Sequence, residues 1–75
     1  MWKTFYLKWN GRRWHCEAKV FDRPSIFGIR DGRVSKLCAQ SGSVVYSYDR
    51  GWDSQAPKGF IDALMKKFPE VMEEP

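Results

Sequence analysis

Asn10-Gly11, set between two runs that alternate apolar and polar residues, constrains this chain more than any other feature. An Asn-Gly pair accepts the left-handed backbone at both positions. That is the requirement of a two-residue hairpin turn, whose twist matches the strands it joins. Such a turn leaves no freedom of register. Trp9 must face Arg12, Lys8 must face Arg13, Leu7 must face Trp14 and Tyr6 must face His15, and the ladder continues to Trp2 opposite Lys19. Side chains alternate between the two faces of a strand, so this register sorts them. Phe5, Leu7, Trp14, Cys16, Ala18 and Val20 fall on one face, which reads as core. Trp2, Thr4, Tyr6, Lys8, Arg13, His15, Glu17 and Lys19 fall on the other, which reads as wet.

Beyond Val20 the pattern breaks. Asp22-Arg23-Pro24-Ser25, Gly28 and Asp31-Gly32 are turn chemistry, and Ile26, Phe27 and Ile29 among them are expected to tuck the loop onto the core edge. Arg33 to Gln40 reads as a third strand, Ser41-Gly42 as a turn and Ser43 to Tyr48 as a fourth strand ended by Gly51 and Trp52. Leu37 and Ala39 favour one face of the third strand, Val34 and Cys38 the other, which leaves a bulge and two-sided burial both open. Pro57 suits a first helical turn. Phe60, Ile61, Leu64, Met65 and Phe68 then form one helical stripe, which Pro69 is expected to end or kink. The fold class that follows is α+β: a four-stranded, mostly antiparallel sheet with one C-terminal helix packed on one face. The expected domain covers residues 1–68, followed by an acidic tail over 69–75.

The tail matters for charge. Glu70, Glu73 and Glu74 lie in it, so the preceding residues hold thirteen bases against six acids, +7 where the whole chain is +4. A basic body points to an anionic partner, either nucleic acid or an acidic protein surface; a merely solvated surface explains the same charge. Aromatics reach 16% with four Trp, which suits either an economical core or a binding face. No apolar run is long enough to span a membrane and no signal peptide is read at the start, so no membrane association and a cytoplasmic location are expected. Cys16 and Cys38 then read as reduced core thiols, with a disulfide only if their strands are neighbours.

Catalytic and metal patterns are thin. His15 and Cys16 are strand neighbours and point to opposite faces, so they cannot act as a dyad. One His and two Cys without close spacing make a poor zinc set. Gly28-Ile29-Arg30-Asp31-Gly32 lacks the strand-to-helix setting of a phosphate loop. No enzyme activity, metal or cofactor is expected. In Tyr48-Asp49-Arg50-Gly51-Trp52-Asp53, Arg50 is flanked by Asp49 and Asp53, Gly51 permits a positive φ, and Trp52 can fold back over the sheet. This reads as a strand-to-helix brace or as part of a contact.

The wet face poses the functional question. Lys8 opposite Arg13 is a like-charge pair costing about a few tenths of a kcal/mol. Lys19 opposite Trp2 offers a cation–π contact, and Tyr6 opposite His15 a stacked pair. The candidate binding residues are Trp2, Tyr6, Lys8, Arg13, His15 and Lys19 on that face, with Arg33, Lys36, Arg50 and Trp52 beside it. Exposed rings among cations are how sheets hold single-stranded nucleic acid.

Ala18-Lys19-Val20-Phe21-Asp22, Pro24-Ser25, Phe27-Gly28-Ile29, Gly32-Arg33-Val34-Ser35-Lys36-Leu37 and Tyr48-Asp49-Arg50-Gly51-Trp52-Asp53 together resemble a family of small uncharacterised proteins of Firmicutes and their phages and prophages. The likeness covers roughly residues 14–65 and leaves Arg12, Arg13 and the acidic tail outside its shared pieces. It implies a mobile-element accessory protein and no particular activity. The expected function is a non-enzymatic binding module that docks on a host or phage macromolecule, inhibition of a host defence nuclease being one form of this. The alternative is a single-stranded nucleic-acid-binding protein that uses the basic, aromatic face.

Overall fold

The hairpin forms in the expected register. Strands β1 (Trp2–Trp9) and β2 (Arg12–Val20) run antiparallel, with Trp9 opposite Arg12, Lys8 opposite Arg13 and Trp2 opposite Lys19. Asn10 and Gly11 carry φ values of 53° and 72°, both positive as the tight turn demands. The computed structural model describes residues 1–73, with the side chains of Glu70, Val71 and Glu73 outside the description. The acidic character expected of Glu70, Glu73 and Glu74 therefore lies outside the described residues.

Strands β3 (Val34–Ser41), β4 (Val44–Asp49) and β5 (Trp52–Ser54) complete an antiparallel meander in the order β1-β2-β3-β4-β5. The sheet thus has five strands, not four. Arg50, at φ 56°, turns the chain back, and Trp52 and Ser54 pair with Tyr48 and Ser47 of β4. The positive φ expected at Gly51 falls on Arg50 instead. A three-residue strand is too short to show a period in sequence.

The ambiguity in β3 resolves as a bulge. Lys19 pairs with Lys36 but Val20 pairs with Val34, which leaves Ser35 as the extra residue. Val34 and Leu37 can then both face the core, while the buried Ser35 hydroxyl donates to the Lys19 carbonyl at 3.3 Å. Cys38, expected in the core, is exposed on the open face opposite Glu17, whereas Cys16 is buried opposite Ala39. Their strands are neighbours, but the two thiols point to opposite faces and both are free.

Helix α1 (Lys58–Glu73) follows Pro57, whose carbonyl accepts from the Ile61 N–H at 3.1 Å. The expected stripe faces the sheet: Phe60, Ile61 and Leu64 are buried, and Met65 and Phe68 pack against the core. Phe60 meets Trp14, Tyr46 and Trp9 edge-on at 5.2, 5.1 and 5.7 Å, and Trp14 stacks on Tyr46 at 4.7 Å. Burying a ring of this kind contributes about 1.5–3 kcal/mol. Gly59 lets the first turn approach Trp9 closely, since a Cβ there would sit 3.2 Å from its ring. The helix does not end at Pro69 but runs through it to Glu73. Proline costs one backbone bond and a clash with the preceding turn. Against that cost, Met72 continues the Phe68 stripe and packs on the core.

The loop between β2 and β3 is pinned rather than free. Ile29 is buried, the Tyr48 hydroxyl donates to the Phe27 carbonyl at 2.8 Å, and Arg30 reaches Asp62 of α1 at 2.6 Å. Ile26 and Phe27 do not tuck in as expected; they remain 80% and 55% exposed.

Candidate functional site

Because α1 covers one face of the sheet, the other is left to solvent. Residue pairing builds that face in rows across the strands. One row runs Trp2, Lys19, Lys36, Asp49; the next runs Thr4, Glu17, Cys38, Ser47, Ser54; a third runs Tyr6, His15, Gln40, Val45; and Lys8 and Arg13 close the hairpin end. Trp2 and Tyr6 are more than half exposed. Trp2, Tyr6, Lys8, Arg13, His15, Lys19 and Lys36 therefore share one surface.

The contacts within it differ from a simple opposite-pair picture. Tyr6 and His15 do meet, with ring centroids 5.3 Å apart. The Arg13 guanidinium lies 3.9 Å from the Tyr6 centroid, diagonally across the hairpin. Lys19 does not stack on Trp2. Its ammonium lies 5.8 Å from the Phe21 centroid instead. Phe21 is 42% exposed and was absent from the candidate residues. The signal was present: alternation carried past Val20 puts Phe21 on the same face as Lys19.

Lys19, Phe21, Ser35, Lys36 and Arg50 line a cleft of about 200 Å³ at the end of the face away from the hairpin turn. Lys36 and Arg50 each approach the same Asp49 carboxylate oxygen at 3.8 Å. Asp53 makes no such contact with Arg50 among the described residues, so only half of the expected flanking pair engages it. The Arg50 N–H donates to the Ser35 carbonyl at 3.1 Å, which seats the arginine beside the bulge.

Arg33 and Trp52 stand apart. The Arg33 Nε donates to the Phe21 carbonyl at 2.9 Å, and its side chain lines an apolar cleft with Val20, Pro24, Met65, Phe68 and Met72 on the helix side. Trp52 packs edge-on against Tyr48 at 5.0 Å, also on the helix side. The structure therefore gives Arg33 a tethering contact to Phe21 and gives Trp52 a place against the core.

Burial raises the Cys16 thiol to about 12, with the neighbouring Cys38 thiol adding to the effect. Such a thiol holds its proton and is a poor nucleophile.

A family model described as a domain of unknown function, DUF7678, matches residues 1–69. The chain belongs to that family. The DUF7678 match starts at the first residue, so Arg12, Arg13 and the whole hairpin fall inside the family's extent, and only the segment after Pro69 lies outside it. No curated protein and no solved structure matches the chain. No helix among the described residues is long and apolar enough to cross a membrane.

Proposed function

We propose that this member of the DUF7678 family is a non-enzymatic binding module, and that it docks single-stranded nucleic acid on the open face of its sheet. The observation that carries the reading is the pairing of exposed rings with cations on that face: Trp2 and Phe21 beside Lys19, Lys36 and Arg50. Rings offer a stacking surface to any base, and cations track phosphate. The cationic ends of the face lie far apart. Arg13 and Lys19 are six residues apart on one strand, about 20 Å at the rise of a β-strand. A polymer spans that distance and a small anion does not.

The resemblance to small phage and prophage proteins supports a setting in which host or phage nucleic acid is the partner. Inhibition of a host defence nuclease fits the face less well, because a nuclease groove that holds nucleic acid is itself cationic and would repel Lys19, Lys36 and Arg50. An acidic protein surface matches the charge and can also bury the rings, so it is the second reading, and an oligonucleotide titration separates the two.

Titration of the protein with an unlabelled oligothymidylate tests the reading through Trp fluorescence. Quenching is expected at low salt, with affinity falling linearly on a log–log plot as salt rises. The Trp2→Phe variant should lose most of the quench. No quenching at low salt, together with binding to a polyglutamate chain, would transfer the reading to an acidic protein partner.

A further inference from the structure

We infer that the cleft at Lys19, Phe21, Lys36 and Arg50 is the subsite that seats one nucleotide unit of the bound strand, phosphate on the cations and base on the Phe21 ring. This rests on the nucleic-acid reading above. The cleft holds about 200 Å³, less than the ~300–1,000 Å³ of pockets that enclose a whole small ligand. It does not enclose a whole nucleotide; it has room for the phosphate, with the base lying outside against the exposed Phe21 ring.

Charge in the cleft is unbalanced. Lys36 and Arg50 share one Asp49 oxygen at 3.8 Å each, well beyond the ~2.7–2.9 Å of a charge-assisted hydrogen bond. Lys19 adds a further cation, turned toward the Phe21 ring rather than toward a carboxylate. A phosphate brings several acceptor oxygens to donors that are loosely held and already converge.

Two backbone irregularities meet here. The bulge at Ser35 resets β3 against β2 between Lys19 and Val20, and bulges re-aim the side chains beside them. Arg50 holds φ 56°, a strained conformation for a residue with a Cβ, while Gly51 next to it would adopt it freely. An arginine kept in that conformation places a guanidinium at the cleft mouth where a glycine would place nothing.

The strain supplies the test. Arg50→Gly removes the charge and relieves the backbone, so fold stability should hold or rise while binding falls. Anisotropy of a fluorescein-labelled oligothymidylate should show about tenfold weaker binding at ~50 mM salt, and a salt slope smaller by about one. Lys36→Gln should act the same way. Phe21→Leu should weaken binding with the slope unchanged, because it removes a stacking surface and no charge. Binding by the parent that neither Arg50→Gly nor Lys36→Gln weakens overturns the subsite and leaves the nucleic-acid reading intact. Absence of binding by the parent at low salt overturns that reading, and the subsite with it.

Discussion

The Arg13 guanidinium lies over the Tyr6 ring, 3.9 Å from its centroid, although the strand register sets Arg13 opposite Lys8. Diagonal neighbours on a hairpin are within reach of long side chains. The contact gives Arg13 a partner other than the like charge it faces. It also means that the open face can carry both cations at the turn without a large cost in stability.

That contact should be measurable as a coupling. A double-mutant cycle of Tyr6→Leu and Arg13→Ala, followed by urea unfolding, is expected to give an interaction of about 0.5–1 kcal/mol, the range for exposed cation–π pairs. Lys8→Ala should leave that coupling unchanged. A coupling of zero would mean that the guanidinium is solvated and not held by the ring.

Gly28 should tolerate no side chain. A Cβ there would collide with the Gly32 carbonyl across the loop, and its own φ is ordinary, so the cause is space and not backbone freedom. Gly28→Ala is expected to destabilise by about 2 kcal/mol or more. Amide exchange should quicken first at Ser25 and Gly32, whose N–H groups close the loop. Unchanged stability would show that the loop can open at that point without loss.

Acid should loosen the tie between the loop and α1. Asp62 accepts from Arg30 at 2.6 Å and from Lys58 at 3.1 Å, and these hydrogen bonds, Arg30 first, hold its carboxyl below the ordinary 3.8. A carboxyl with a lowered folded pKa releases its proton more readily when folded. Its contribution is therefore complete above the unfolded value of 3.8 and is lost as pH falls through the folded one. Thermal midpoints of the parent should drop across that window more steeply than those of Asp62→Asn. Both partners are over 40% exposed, so added salt should shrink the difference.

The two thiols should react differently. In the native protein at neutral pH a thiol reagent is expected to label Cys38 and spare Cys16, and both should label after unfolding. Burial also couples Cys16 to stability. The folded thiol keeps its proton to about 12, whereas the unfolded one loses it near 9.0, so stability should fall as pH rises above 9.0 and level off near 12. Cys16→Ala should flatten that limb. Rapid native labelling of Cys16 would show that the core at the Phe5 and Ala39 positions opens easily.

Local chemistry was enough to determine the hairpin. Asn10-Gly11 accepts positive φ at both positions, and two-residue closure then sets every pair from Trp9 and Arg12 to Trp2 and Lys19, hence the core face and the wet face. The helical stripe from Phe60 to Phe68 was legible for the same reason: its period is a property of neighbours along the chain. Tertiary structure decided what depends on residues distant in sequence. The bulge at Ser35 arises where β2 and β3 fall out of step, and it moves Val34 into the core and Cys38 out. The turn at Arg50 is seated by a bond to Ser35 and creates a fifth strand too short to announce itself. Met72, packed on the core, draws the helix past Pro69. The cleft needs all of these at once. Lys19, Phe21, Lys36 and Arg50 come from three separate stretches of chain, and only the folded sheet brings them to one place.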